Sequence, residues 1–343
     1  MTLRPRRRGA AVLTGTVLTV IMCVLVAVGF VAPASSLTLR SASATAARAK
    51  KRRTSRRLTA VAPQAVVGSL PAPPYAVGVT HVTYVDAARG RTIPVTLRYP
   101  VMGTAGDGEV QDEIADVGEY SLVVLAHGFD VSAETYRALE HQLAAAGFVV
   151  AAPDFPLTSS AVTDSPDEDD VSNQAADVSF VITELFDRST VPDLLSGAIA
   201  DTPVGVVGHS DGGVTAAAVA YNSTVADPRI GAAVILSGAE ARYDGSWFTT
   251  QSPPLLAVHG TDDEVNPLAS SEQLFDDATG SKMLVTVDGG SHLGPFTTDP
   301  EEPDVGALAA DFLRAHLSGD AVAAQRLGSD ANVAGALSLA AAA

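Results

Sequence analysis

Short apolar runs alternate with longer helical patterns through most of the chain, and no other feature restricts the fold as much. The runs begin with SLVVLAHG at residue 121 and end with KMLVTVDGG at residue 282, and helical patterns lie between most of them. This order predicts an α/β fold, with a mostly parallel, doubly wound sheet and helices on both faces. Two earlier runs, GVTHVTYVDA and IPVTLRYP, predict a leading pair of antiparallel strands. Functional residues are expected directly after strands, because ligand sites of such sheets lie outside the carboxyl ends of the strands.

The charges of the chain are unevenly distributed. The first 57 of its 343 residues contain 12 of the 22 lysine and arginine residues and no acidic residue. The remainder has 10 basic residues against 39 acidic ones, a formal charge of −29. This acidic remainder, called the body below, repels nucleic acid and anionic membrane surfaces, so no nucleic-acid partner is expected.

An apolar run near the start of the chain predicts export from the cytoplasm. Residues 9–34 follow RPRRR and end in APA, which is typical of a signal peptide and its cleavage site. The run is also long enough to span a bilayer, so an uncleaved anchor formed by residues 10–32 is the alternative. The body is then secreted or held on the outer face of the cell membrane. The single cysteine, Cys23, lies in this run, so the body is expected to have no disulfide and no thiol nucleophile.

Composition divides the chain into four segments. Residues 1–34 are the signal peptide or anchor, and residues 35–74, rich in Ala, Ser, Pro and basic residues, predict a disordered linker. Residues 75–320 hold the strand and helix patterns and form the predicted catalytic domain. Residues 321–343 form an Ala-rich tail, for which a helix docked on the body and a frayed end both remain open. The acidic stretch at 163–170 is interpreted as a solvated loop rather than a cation site.

A serine follows one of the buried runs in the pattern Gly-x-Ser-x-Gly. Ser210 lies between TPVGVV and an Ala-rich helical pattern, with Gly208 and Gly212 on either side. Glycines at these positions permit a tight strand-to-helix turn that points the serine outward in a strained conformation. The free N–H groups of the following helix then face the reaction. A glycine-rich bend with a capping serine is the alternative, and the pattern alone does not exclude it.

A serine hydroxyl is a weak nucleophile and needs a base to accept its proton. Among the seven histidines, His292 is the best placed, because it follows the last strand pattern in a loop. His127, His209 and His259 lie beside strand ends and are interpreted as packing or turn residues. His292 is therefore the predicted base.

A carboxylate is expected to orient the histidine, after a strand and between the serine and the histidine in chain order. The segment LLAVHGTDDEVNP offers Asp262 and Asp263. Asp263 is preferred because it lies three residues after Gly260, where the loop has left the strand. Asp262 is interpreted as a capping or surface acid.

An acyl-transfer site also needs donors for the oxyanion of the tetrahedral intermediate. One predicted donor is the backbone N–H of Asp211, the residue after the serine. The other is the N–H of Phe129, because Gly128 in LAHGF permits a turn after the preceding strand. The Phe129 ring is expected to flank the acyl group.

These residues and their order resemble the α/β-hydrolases. AHGFD, AAPDFP, GHSDGG, HGTDDEVNP and GGSHLG occur in that order between residues 78 and 317. They are similar to the bacterial secreted group of dienelactone hydrolase-like, platelet-activating-factor acetylhydrolase-like and polyester hydrolase proteins. The resemblance implies the α/β-hydrolase fold and a Ser–His–Asp triad. Dienelactone hydrolases have cysteine where this chain has Ser210, and polyester hydrolases usually have methionine where it has Asp211, whose charge argues against a polyester substrate.

The sequence therefore predicts a serine esterase that hydrolyses small ester molecules, with short acyl groups, through an acyl-enzyme. No cofactor and no metal ion are implied. The segment between VILSG and PPLLAV is too short for a large lid, so an open site is expected. An acyl transferase or perhydrolase with the same triad is one alternative. A non-catalytic surface binding protein that has kept the fold is another.

Overall fold

The structure is a computed structural model, and it describes residues 74–106, 108–248 and 252–343. The predicted signal peptide or anchor at 1–34 lies outside the described residues, as does nearly all of the predicted linker at 35–74. In the part of the chain that is described, none of the helices is both long and apolar enough to span a bilayer.

The described residues form ten strands and six α-helices. The strands are β1 Ala76–Asp86, β2 Arg91–Val101, β3 Glu109–Gln111, β4 Ser121–Ala126, β5 Phe148–Pro153, β6 Val204–His209, β7 Ile230–Leu236, β8 Leu255–Gly260, β9 Lys282–Val287 and β10 Leu337–Ala342. The helices are α1 Arg137–Ala145, α2 Val171–Ser189, α3 Asp211–Tyr221, α4 Ala269–Asp277, α5 Glu302–Leu313 and α6 Ala321–Asp330. Short 3₁₀ turns precede α1 and α2.

The strands form one sheet in the order β10-β9-β8-β7-β6-β4-β5-β2-β1-β3. Strands β4 to β9 run parallel to one another, whereas β2 pairs antiparallel with β5 and forms the predicted antiparallel pair with β1. Gly90, at φ +66°, lies in the turn that joins this pair, in a conformation that favours glycine. The predicted mostly parallel α/β sheet is therefore confirmed.

Helices cover both faces of the sheet, as the alternation of patterns predicts. Apolar residues of α2, α3 and α4 pack in one core with inward-facing side chains of the strands. Apolar residues of α1 and α5 form the core on the opposite face, which α6 extends through its contact with α5. The central strands are buried on both faces, which explains why they are continuously apolar in sequence.

The segment predicted as an Ala-rich tail forms a helix and an edge strand. Asp320 caps α6 by accepting hydrogen bonds from the N–H groups of Val322 and Ala323, and Arg326 of α6 pairs with Asp311 of α5 at 2.6 Å. Strand β10 then pairs antiparallel with β9. Helix α6 thus docks on the body, as one of the two alternatives expected, and β10 extends the sheet. The structure does not have the frayed end that was the other alternative.

Candidate active site

The predicted site residues lie at the same end of the sheet, where the parallel strands end at their carboxyl termini. Phe129 follows β4, Ser210 follows β6, Asp263 follows β8 and His292 follows β9. The chain enters β4, β5 and β6 in sequence, but β6 lies on the opposite side of β4 from β5. Such a reversal of strand order opens a crevice above the sheet, and the serine lies beside it.

Ser210 has the strained backbone that the glycine pattern predicts. Its φ is +57° and its ψ is −121°, a conformation that costs energy for any residue other than glycine. The turn is tight, because a Cβ on Gly208 would lie 2.0 Å from the carbonyl oxygen of Gly212. A Cβ on Gly212 would lie 2.0 Å from the carbonyl oxygen of Ala126 in β4. Only glycine fits at both positions, and the serine hydroxyl is left facing the crevice.

The structure brings the predicted serine, histidine and aspartate into one hydrogen-bonded row. Nε2 of His292 lies 2.9 Å from Oγ of Ser210. Nδ1 of the same ring lies 2.8 Å from Oδ2 and 3.0 Å from Oδ1 of Asp263. Because an ionised carboxylate only accepts, Nδ1 carries the proton and Nε2 of the neutral ring is left to accept from the serine hydroxyl.

Asp263 is enclosed and hydrogen-bonded, which keeps it ionised. Its side chain is 1% exposed, and its Oδ1 accepts from the N–H groups of Val265 and Asn266 at 2.9 and 2.8 Å. Burial by itself raises the pKa of Asp263, but the hydrogen bonds from His292 and these backbone groups outweigh burial and lower the pKa below its ordinary value. The neighbouring Asp262 is exposed and makes no side-chain contact with His292 in the described part of the chain.

The two predicted oxyanion donors lie beside the serine. The N–H of Asp211 is the first of α3, where no carbonyl of the helix can accept it. The loop of Phe129 approaches from β4, and a Cβ on Gly128 would lie 3.3 Å from Cβ of Ser210. Among the described residues, neither the Asp211 nor the Phe129 N–H donates a hydrogen bond. Both are therefore free to bind a developing negative charge.

A family model supports the relationship that the fold and this geometry indicate. The model of the chlorophyllase family matches residues 113–246. The chain is an α/β-hydrolase-like protein. The match covers 134 of the 343 residues and suggests an ester hydrolase of the α/β-hydrolase type. It includes Phe129, Ser210 and Asp211, whereas Asp263 and His292 lie beyond it. Comparison with curated proteins gives no match.

Several residues of the hydrolase site were not found by sequence reasoning. Glu264 accepts a hydrogen bond from the N–H of His292 at 3.2 Å, and Nε2 of His259 lies 3.3 Å from Oδ2 of Asp263. His209 lies against the ring of His292, with 4.7 Å between centroids. The only sequence signal for these residues is that each lies one to four positions from a predicted site residue.

The charge of Asp211 is compensated at the rim of the hydrolase site. Its Oδ1 lies 3.7 Å from Nε of Arg242, and the guanidinium of Arg242 also pairs with Glu168. Burial raises the pKa of Asp211, and Arg242 opposes this shift. The acidic stretch 163–170 thus reaches the site through Glu168. Its Asp170 is buried and accepts two hydrogen bonds of 2.8 Å from Arg91.

The connection between β7 and β8 gives the crevice no helical cover in its described residues. The segment between β7 and β8 runs from 237 to 254, and its described residues contain no helix. Within the described ranges, no group of three or more His, Cys, Asp or Glu side chains is arranged to hold a metal ion. The groups available for chemistry here are a hydroxyl, an imidazole, a carboxylate and backbone N–H donors.

Proposed function

We propose that the chain is a serine carboxylic ester hydrolase that works through an acyl-enzyme intermediate. The observation that carries the proposal is the position of the His292 ring, with Nε2 2.9 Å from Oγ of Ser210 and Nδ1 2.8 Å from Oδ2 of Asp263. The base is then within hydrogen-bond reach of both the nucleophile and the orienting carboxylate, as acyl transfer to a serine requires.

In the first half of the reaction, Oγ of Ser210 attacks the carbonyl carbon of the ester while Nε2 of His292 accepts the hydroxyl proton. The carbonyl oxygen becomes an oxyanion and accepts from the N–H groups of Phe129 and Asp211. Asp263 stabilises the imidazolium without taking its proton. When the tetrahedral intermediate collapses, the C–O bond to the alcohol breaks and Nε2 returns the proton to the leaving oxygen.

In the second half, a water molecule replaces the alcohol. His292 accepts a proton from this water as it attacks the acyl carbon, and a second tetrahedral intermediate forms. Its collapse releases the carboxylic acid and returns the proton to Oγ of Ser210. Ser210 is partly exposed in the crevice, which supports direct access of water to the acyl-enzyme.

Labelling with a fluorophosphonate probe tests the proposal most directly. Such a probe reacts with serines activated by a neighbouring base, so the full chain is expected to be labelled at Ser210, as read by peptide mass spectrometry. Hydrolysis of p-nitrophenyl esters should accompany labelling. A chain that neither reacts with the probe nor hydrolyses esters would be a binding protein with a hydrolase fold.

Short acyl groups are the expected substrates. Aromatic residues make up 5% of the chain, and the described part of the 237–254 segment gives no helical wall for a long chain to bury against. Each buried methylene contributes only about 0.8 kcal/mol, and only where a surface covers it. We therefore expect kcat/KM for p-nitrophenyl esters to be highest at roughly two to six acyl carbons.

The measurement is a series of esters at equal detergent concentration. Since the matched family carries the name chlorophyllase, chlorophyll is included in the panel. A maximum at twelve or more carbons would contradict the open site and point to a deep acyl groove.

We further propose that the enzyme acts outside the cytoplasm. The support is the sequence of residues 1–34, which begins with basic residues and continues as an apolar run ending in APA. Cleavage should give a new N-terminus near Ser35, and an anchored form should keep residues 10–32 and fractionate with membranes. Mass spectrometry of cell fractions and culture medium distinguishes the two, and a full-length chain found only in the soluble cytoplasm would refute both.

A further inference from the structure

We propose that the buried pair Tyr136–His209 positions the reacting groups, by linking the loop after β4 to His292. The inference rests on the proposed esterase function, because it concerns the relative placement of the oxyanion donors and the base. His209 was interpreted from sequence as a packing or turn residue. The structure instead places its ring between two polar partners, the hydroxyl of Tyr136 in the 3₁₀ turn before α1 and the backbone carbonyl of His292 in the loop after β9.

Three hydrogen bonds connect the loop after β4 to the loop after β9. The N–H of Gly128 lies 3.2 Å from the hydroxyl oxygen of Tyr136, and that oxygen lies 2.7 Å from Nδ1 of His209. On the other edge of the ring, Nε2 of His209 lies 2.7 Å from the backbone carbonyl oxygen of His292. The connected groups are far apart in sequence, since 73 residues separate Tyr136 from His209 and 83 separate His209 from His292.

The chemistry of the partners fixes the direction of each of the three hydrogen bonds. A carbonyl oxygen can only accept, so Nε2 of His209 must carry the proton that it donates to His292. Nδ1 of a neutral ring must then accept, and Tyr136 must donate its hydroxyl proton to it. The hydroxyl oxygen is left to accept from the N–H of Gly128. The order is fixed from one loop to the other, provided that the ring of His209 stays neutral.

Burial keeps the ring neutral. His209 is 3% exposed and Tyr136 is fully enclosed. Burial, followed by the proximity of His292, lowers the pKa of His209 to about 3. The ring also packs against Phe296 at 5.1 Å between centroids. Both nitrogens of the His209 ring are engaged by Tyr136 and the carbonyl of His292, so its contribution is to hold the site in place.

The two ends of this hydrogen-bond series lie at groups that take part in the proposed reaction. Gly128 precedes Phe129, whose N–H must meet the oxyanion, and a Cβ on Gly128 would lie 3.2 Å from both Tyr136 and His209. The other end is the backbone of His292 itself. A shift of either loop moves a donor or the base relative to Ser210, and misplacement by about 1 Å costs up to roughly 10²-fold in rate.

The test is the full chain carrying Tyr136→Phe, which removes the hydroxyl and keeps the ring. The matched control is Tyr221→Phe, which removes another buried phenol, one that donates to the carbonyl of Pro254 at 3.2 Å. Tyr221 ends α3, about 16 Å along the helix from Ser210 at 1.5 Å per residue. Both substitutions remove one buried hydroxyl, so an effect on folding alone is common to both.

We expect Tyr136→Phe to lower kcat for a p-nitrophenyl ester roughly tenfold and to change KM less than about twofold, because the lost contacts act when the oxyanion forms. Inhibition by a transition-state analogue such as a boronic acid should weaken to the same degree. Tyr221→Phe should leave both constants within about twofold. His209→Phe should lose at least as much as Tyr136→Phe, and the double variant should lose no more than the larger single loss, since the two act as one unit.

The outcomes separate this proposal from the proposed function. A wild-type chain without esterase activity refutes the function, while ¹⁵N spectra of its imidazoles still report on the pair: His209 should be the Nε2–H tautomer, and Tyr136→Phe should move the Nδ1–H resonance of His292. An active wild type in which Tyr136→Phe matches Tyr221→Phe in kcat, with an unchanged His292 resonance, overturns the positioning role.

Discussion

Ser210→Ala is expected to lower kcat for a short p-nitrophenyl ester by roughly 10⁴- to 10⁶-fold, which is the range for removing the nucleophile of a triad. The hydroxyl that lies 2.9 Å from Nε2 of His292 is the only group in the row able to form the acyl-enzyme. The free N–H groups of Phe129 and Asp211 remain in the variant. A small residual rate above the uncatalysed reaction is therefore expected.

A nearby serine provides the control for this substitution. Ser291 precedes His292, the predicted base, in the sequence. Its hydroxyl accepts a hydrogen bond from the N–H of Gly294 at 3.3 Å. Ser291→Ala should keep kcat within about tenfold of the wild type, since it removes one backbone contact and no reacting group. Steady-state kinetics and fluorophosphonate labelling measure both variants. Full activity of Ser210→Ala, or labelling at another residue, would end the proposed mechanism.

Asp263→Asn is expected to lose on the order of 10⁴ in kcat, with a nearly unchanged thermal midpoint. In the wild type, the carboxylate accepts from Nδ1 of His292 at 2.8 Å and so sets the tautomer in which Nε2 accepts from Ser210. An asparagine can turn its amide nitrogen toward Nδ1, which then accepts instead, and the proton moves to Nε2. The ring can then no longer act as the base. The amide oxygen can still accept the backbone N–H groups of Val265 and Asn266, so the loop should keep its conformation.

Asp262→Asn is the matched control, because it makes the same chemical change one residue earlier. Asp262 is exposed, whereas the side chain of Asp263 is 1% exposed and lies against His292. We expect Asp262→Asn to lose less than about tenfold in kcat, as for a surface substitution outside the row. A larger loss for Asp262→Asn than for Asp263→Asn would show that Asp262 is the carboxylate that orients His292. Losses below tenfold for both would mean that a different carboxylate orients the base.

The sequence predicted those parts of the protein that depend on local patterns. The central strands β4, β5 and β7 are largely continuous apolar runs, because helices cover both faces of the sheet, and this pattern is readable without the partners. The turn at Ser210 was equally readable, since only glycine fits at Gly208 and Gly212 when the turn is this tight. Chain order and strand ends then led to Asp263 and His292 as candidates, which the structure places beside the serine.

The tertiary structure alone decided what depends on contacts between distant segments. The residues of β10, LSLAAA, have little strand character by themselves, and they form a strand because the exposed edge of β9 offers them a partner. His209 gave only the signal of a residue beside a strand end. Its pairing with Tyr136, 73 residues away, follows from how α1 and the loops after β4 and β9 meet over the sheet. Local patterns thus predicted the central strands, the helices between them and the types of reacting groups. The packing of the sheet decided the edge strand β10 and which buried polar groups face each other, because no local pattern encodes a partner's position.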